Sequence, residues 1–246
     1  MRFARLSILL AGGLPALAAT GSSFSLLGIS PGKDASSLSV PMQIILLLTL
    51  LTLLPAAVMS ITPFLRITIV LHFLRQALGT QSTPSNQVLI GLALFLTIVI
   101  MQPVVADIYH QGWEPMEAGK LAPAQAFAQG AKPLRAFLAR FAREKDIRLF
   151  LEIAHAPAPH TPADLDLTVL MPAYILSELK TGFQIGAVLF LPFLVIDLLV
   201  ASVTLSVGMV QLPPVMISAP FKILLFVLVD GWNLVVGSLM KSFYGS

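Results

Sequence analysis

Four long apolar stretches organise the pattern of hydrophobic and polar positions. The first covers residues 42–61, is interrupted by Pro55, and resumes past Pro63 as FLRITIVLHFLRQAL. The second covers 88–106, the third 185–210 with Pro192 and Asp197 inside it, and the fourth 221–239. Each approaches or exceeds the ~20 residues a helix needs to cross a bilayer core, and runs of that length predict helices rather than strands. Between the second and third, residues 132–154 predict one amphipathic helix. Leu134, Phe137, Leu138 and Phe141 recur at i, i+3, i+4 and i+7, Pro133 suits the first turn, and Arg135, Arg140 and Arg143 take the opposite face. Its aromatic residues Phe137, Phe141 and Phe150 are candidates for packing on the same domain or on a neighbouring copy. A helix lying on anionic lipid is the competing reading, and the mixed charge after Arg143 favours protein packing. HAPAPHTPAD then closes the helix as a proline-rich linker.

Composition sharpens this into a class. The chain is 57% hydrophobic and 11% charged, against roughly 25% charged in ordinary soluble domains. So few charges cannot clothe a soluble monomer, so the expected fold is an all-α membrane protein: four hydrophobic helical segments plus a helical segment between the second and third. MRFAR followed by a short apolar core and Ala16-Leu17-Ala18 reads as a cleavable secretory signal over residues 1–18, with a flexible leader over 19–41. The remaining divisions are a first helical hairpin over 42–108, an extracytoplasmic segment over 109–184 and a second hairpin over 185–246. If the mature N-terminus is delivered outside, Arg66, Arg75, the turn GTQSTPSNQ, Pro213-Pro214 and Lys222 fall inside, in line with the positive-inside tendency. The net charge of +3 forms no dense basic cluster, which argues against a nucleic-acid partner.

Candidate chemistry is sparse. The chain has no cysteine, so disulfides, zinc thiolates and thiol catalysis are excluded. Neither a P-loop, a dinucleotide fingerprint, a zincin helix nor a nucleophile elbow occurs in it. His72, His110, His155 and His160 are scattered, so no metal, cofactor or catalytic site is expected. The informative residues are Asp197, Lys222 and Asp230, ionisable groups inside apolar runs, where a lipid-facing charge costs about 2.5–3.5 kcal/mol. Asp197 is expected to be buried and partnered; Lys222 can equally snorkel from near its helix end. Lys222 and Asp230 lie eight residues apart in sequence, too far to pair within one helix. Pro192, Pro213, Pro214 and Pro220 predict broken helices packed in a multi-subunit assembly.

Three blocks then carry a resemblance: QALGTQSTPSNQVLIGLALFLTIVIMQPV, PAYILSELKTGFQIGAVLFLPFLVIDLLVASV and PPVMISAPFKILLFVLVDGWNLVVGSL. Together they resemble the FliP/SctR family of type III secretion export-gate proteins, and the signal and the ending GSLMKSFYGS are more similar to its flagellar branch. The resemblance implies a non-enzymatic, pore-forming subunit in the bacterial inner membrane at the flagellar basal body. It implies a ring of about five copies, joined by smaller Q-type and R-type membrane proteins and other export-apparatus components, through which unfolded flagellar subunits pass. In that setting Lys222 and Asp230 would be compensated by neighbouring copies or by water, and Glu178 and Lys180 would be interface candidates. The family's methionine gasket before the double proline reads here as Met209, Val210 and Gln211, with a polar glutamine in the constriction. Two alternatives stand beside it: a secondary transporter or ion channel using the intramembrane aspartates, and a membrane-anchored scaffold whose outer segment binds a partner.

Overall fold

The computed structural model describes residues 40–80, 82–157, 165–208 and 213–244. The expected signal and leader through residue 39, His160, and the gasket residues Met209, Val210 and Gln211 lie outside them. The chain divides after Leu48 into two compact units. Among the described residues there are helices and turns and no strand. In chain order the α-helices are α1 (Val40–Ser60), α2 (Phe64–Ala77), α3 (Asn86–Ile108), α4 (Glu114–Glu117), α5 (Pro123–Phe141), α6 (Glu144–Ile153), α7 (Leu167–Ser206), α8 (Pro214–Leu228) and α9 (Gly231–Tyr244). A π-helical turn at Tyr109–Trp113 joins α3 to α4.

Three helical runs are long and apolar enough to cross a membrane: Pro41–Ser60, Asn86–Glu117 and Leu167–Ser206. The pair α8 and α9, bent by 66°, would make a fourth. The fold is therefore an all-α membrane protein with four hydrophobic segments. α7 has 40 residues, or about 60 Å at 1.5 Å per residue, twice the ~30 Å hydrocarbon thickness. Its first half is the spine of the larger unit, where Leu170, Ala173, Tyr174 and Glu178 are fully buried. The boundary drawn between residues 184 and 185 corresponds to no break in this helix.

Two expectations about local structure change. Interior prolines do not break these helices: Pro55 lies within α1, Pro103 within α3, and Pro172 and Pro192 within α7. One absent N–H opens one rung and leaves the rest of the ladder intact. Pro220 likewise lies inside α8, whereas Pro63 and Pro213 do sit at helix starts, before α2 and α8; other breaks carry no proline. The fourth stretch turns at Asp230, which holds a left-handed φ of 51°, and Gly231 sits so close to the Phe226 ring that a Cβ there would lie 2.2 Å from it. The amphipathic segment is likewise two helices. α5 starts at Pro123, which leaves Pro133 in its interior, and the chain extends at Ala142 and Arg143 before α6. The break is anchored from outside, because the Arg143 backbone N–H donates to Ser177 Oγ at 2.9 Å.

α2 packs along α7 in parallel. Arg66 meets Glu178, Ile69 lies over Gly182, and Phe73 lies over Gly186 and stacks edge-on with Phe183 at 5.5 Å. The two glycines let the helices approach: a Cβ on Gly186 would lie 2.6 Å from the Phe73 ring.

Candidate functional site: paired charges inside apolar helices

Two buried charge clusters tie α2, α7, α8 and α9 together. In the first, Arg66, one turn into α2, donates from Nε to Glu178 Oε2 at 2.9 Å and from Nη2 to Oε1. Its Nη1 donates to Ser242 Oγ on α9 at 3.1 Å. The guanidinium also lies over the Phe243 ring, 4.0 Å from its centroid, and 5.5 Å from that of Phe141. A planar fork matched to a carboxylate, with aromatic rings close beside it, suits arginine and not lysine. Arg66 is 4% exposed and Glu178 0%.

The second cluster answers the puzzle of Asp197 and Lys222. Lys222 on α8 is 1% exposed and its Nζ donates to Asp197 Oδ2 at 2.5 Å and to the Ala77 carbonyl at 3.0 Å. Ala77 is the last residue of α2, so its carbonyl is one of the orphan acceptors of a helix C-terminus, where a cation is also favoured by the dipole. Ser218 donates to the other Asp197 oxygen. Asp197 is half-buried, and the partners that it and Lys222 have here are in their own chain. Asp230 and Lys180 are exposed.

A third group lies at the α5–α6 break. Arg143 Nη2 donates to Asp146 Oδ2 at 2.6 Å. Ser177 Oγ lies 2.6 Å from the same carboxylate oxygen and 2.8 Å from the Ala173 carbonyl. Burial would push the Asp146 carboxyl up, but the hydrogen bonds from Ser177 and Arg143 and the charges of Arg143 and Lys180 outweigh it and hold the group below its ordinary value.

Phe137, Phe141 and Phe150 face their own chain. Phe137 is buried against Phe141 at 5.0 Å and Tyr174 at 6.0 Å. Phe141 meets Phe243 at 5.2 Å, and Phe150 packs at the edge of the same core. The contacts these three rings make here are intramolecular. Arg66 and Glu178 touch directly, although the charge pattern puts the first on the inner side and the second in the outer segment. By contrast, the turn after α2 does meet the start of α8, with a Cβ at Gly79 only 3.5 Å from Ala219 Cβ.

Sequence reasoning missed Arg66 as a buried partner, because a charge near a proline break reads as a loop residue. It also missed Ser177 and Ser218, whose hydroxyls complete the clusters and carry no pattern signal. The Tyr174 hydroxyl is buried with no hydrogen-bond partner among the described residues. No group of three or more histidine or carboxylate side chains among the described residues could hold a metal ion.

Fold and charge arrangement define a helical membrane protein whose buried ion pairs lock its own helices while long apolar faces stay uncovered. Residues 47–239 match the FliP family. The flagellar biosynthetic protein FliP of Bacillus subtilis is 48% identical over 217 residues, covering 88% of this chain and 98% of the relative. That of Pectobacterium carotovorum is 50% identical over 213 residues, 87% of this chain and 82% of the relative. That of Caulobacter vibrioides is 43% identical over 242 residues, 98% and 91% respectively. The chain belongs to the FliP family.

Proposed function

We propose that this chain is a pore-forming core subunit of the flagellar type III protein export gate, in the bacterial inner membrane at the basal body. It forms a ring of about five copies that joins Q-type and R-type membrane proteins, and it conducts unfolded flagellar subunits without a catalytic step of its own. Residues 1–18 are its signal peptide, residues 109–184 lie on the outer side, and Met209, Val210 and Gln211 form the constriction.

Beside family membership, the observation that carries this reading is the contrast between satisfied charges and uncovered apolar surface. Every residue from 41 to 59 in α1 is exposed. Beyond Gly186, α7 exposes Val188, Leu191, Leu194, Val195, Leu198 and Leu199. Uncovered apolar area on this scale belongs against lipid or other subunits. The transporter alternative loses its central residue, since Asp197 is engaged by Lys222 and Ser218. Lys180 and Asp230, both exposed, are among the charges available for contacts between copies.

Native mass spectrometry of the detergent-solubilised protein, alone and co-expressed with its Q-type and R-type partners, tests the proposal. A discrete ring of about five copies that takes up those partners is the expected result. A monomer or dimer indifferent to them would overturn it.

A further inference from the structure

The surface of α2 turned away from its own chain is polar, although the helix is otherwise apolar. Thr68, His72, Arg75 and Gln76 lie at about 0°, 40°, −20° and 80° around its axis, taking ~100° per residue. The residues it buries, Arg66, Ile67, Val70, Leu71, Leu74 and Ala77, lie on the other side, and half-buried Leu65, at about 60°, is the apolar member among the polar ones. Thr68, His72 and Arg75 are half-buried and Gln76 is exposed. Two of these side chains bond only to their own helix: Thr68 Oγ1 donates to the Phe64 carbonyl at 2.7 Å, and His72 Nδ1 donates to the Thr68 carbonyl at 2.9 Å. That bond leaves His72 Nε2 without a hydrogen-bond partner among the described residues.

Arg75 is the telling member. The other two cations near this helix, Arg66 and Lys222, are buried and each holds a carboxylate. Arg75 has no ion pair among the described residues, and none of the stripe reaches a polar group of α3 or α7. Against lipid, an unpaired arginine at membrane depth costs about 2.5–3.5 kcal/mol on the insertion scale, and Gln76 and His72 add to that. The apolar faces of α1 and α7 show what this chain puts toward hydrocarbon; the α2 stripe is the opposite.

We propose that the Thr68–His72–Arg75–Gln76 stripe of α2 faces an aqueous space in the assembled protein and forms part of the wet wall along which exported chain moves. The inference rests on the export-gate reading and assigns that conduit a surface. Polar groups already bonded to their own helix, together with a fixed positive charge, give a wall that wets readily and, Leu65 apart, offers an unfolded polypeptide little apolar surface to adhere to.

The chain has no native cysteine, so single cysteines report cleanly. Thr68→Cys, His72→Cys, Arg75→Cys and Gln76→Cys would each be expressed in the full chain with its membrane partners. They are assembled into vesicles and labelled with a cationic methanethiosulfonate. Leu194→Cys, on the exposed apolar face of α7, and Leu74→Cys, fully buried, are the references. Thiolate is the reacting form and an apolar setting raises the thiol pKa, so stripe positions are expected to react at least about tenfold faster than both references. Equal rates at stripe and reference positions, in preparations that still form the ring and restore motility, would overturn the stripe and leave the gate intact. Fast labelling of the stripe in a protein that forms no ring would keep the wet surface and sink the conduit it is assigned to. Slower labelling of the stripe when a stalled export substrate is present is the result that ties the surface to transport; unchanged labelling with a stalled substrate would contradict that tie.

Discussion

Arg66 and Glu178 fill each other's hydrogen-bonding capacity at a depth water does not reach, so removing either leaves the other stranded. Glu178→Ala should destabilise the chain by about 3–5 kcal/mol, the usual cost of an uncompensated buried charge. The double substitution Arg66→Met with Glu178→Met should fall closer to the parent than Glu178→Ala does, because it strands nothing. Thermal unfolding in detergent measures both, and a double variant as damaged as the single would contradict the pairing. Asp146 makes a separate, pH-dependent case. Its folded pKa is depressed, so its stabilising contribution is complete above the ordinary aspartate value of about 3.9 and is lost as pH falls through the lower folded value. Chemical unfolding at pH 6 and pH 3 should show a larger loss for the parent than for Asp146→Asn. Residue roles of this kind were only half legible in the sequence. Asp197 stood out because apolar neighbours on both sides demand a partner, but which residue answers it, Lys222 from 25 positions away with Ser218 beside it, depends on how helices pack.

Among the elements, α2 and α7 matter most, and their fit depends on glycines. Gly186→Ala would push a methyl into the Phe73 ring and should cost about 1–3 kcal/mol as overpacking. Gly91→Ala in α3, where a Cβ meets nothing within 4 Å, should be neutral or gain about 0.5–1 kcal/mol from reduced backbone freedom. The yield and thermal stability of monodisperse protein in detergent separate the two, and equal behaviour would argue against the close approach. Helix type and the apolar spans were readable because long runs with few charges leave little else for the chain to form. Helix ends were less so. Proline is a strong local signal, yet Pro55 and Pro192 lie inside unbroken helices, whereas the turn at Asp230 and the break at Ala142–Arg143 are set by contacts with Phe226 and Ser177. Ser177→Ala would remove the acceptor for the Arg143 N–H and a neighbour of Asp146. It should cost about 1–3 kcal/mol, with faster amide exchange concentrated in α6 as the local readout.

At the scale of the whole molecule, each chain settles its own deep charges. Arg66 with Glu178 and Lys222 with Asp197 join the ends of α2 to α7, α8 and α9. What remains for assembly is apolar surface on α1 and the second half of α7, and the polar stripe on α2. That division explains why the sequence's class was legible and its sidedness was not. Charge counting assumed that each apolar stretch crosses from one side to the other, whereas α2, with 14 residues and about 21 Å long, lies beside a helix three times its length. The central claim, that α2 docks along α7 within one chain, has a direct test. A Cβ at Gly182 would lie 3.2 Å from Ile69 Cβ, a few tenths of an ångström short of the ~3.5–4.5 Å span of a disulfide, and the parent chain has no cysteine to interfere. Ile69→Cys with Gly182→Cys in one chain should oxidise to a reductant-sensitive monomer, and a mixture of the two single variants should give no dimer. Disulfide-linked dimers from the mixed singles, or a double variant that stays reduced in the folded protein, would contradict it.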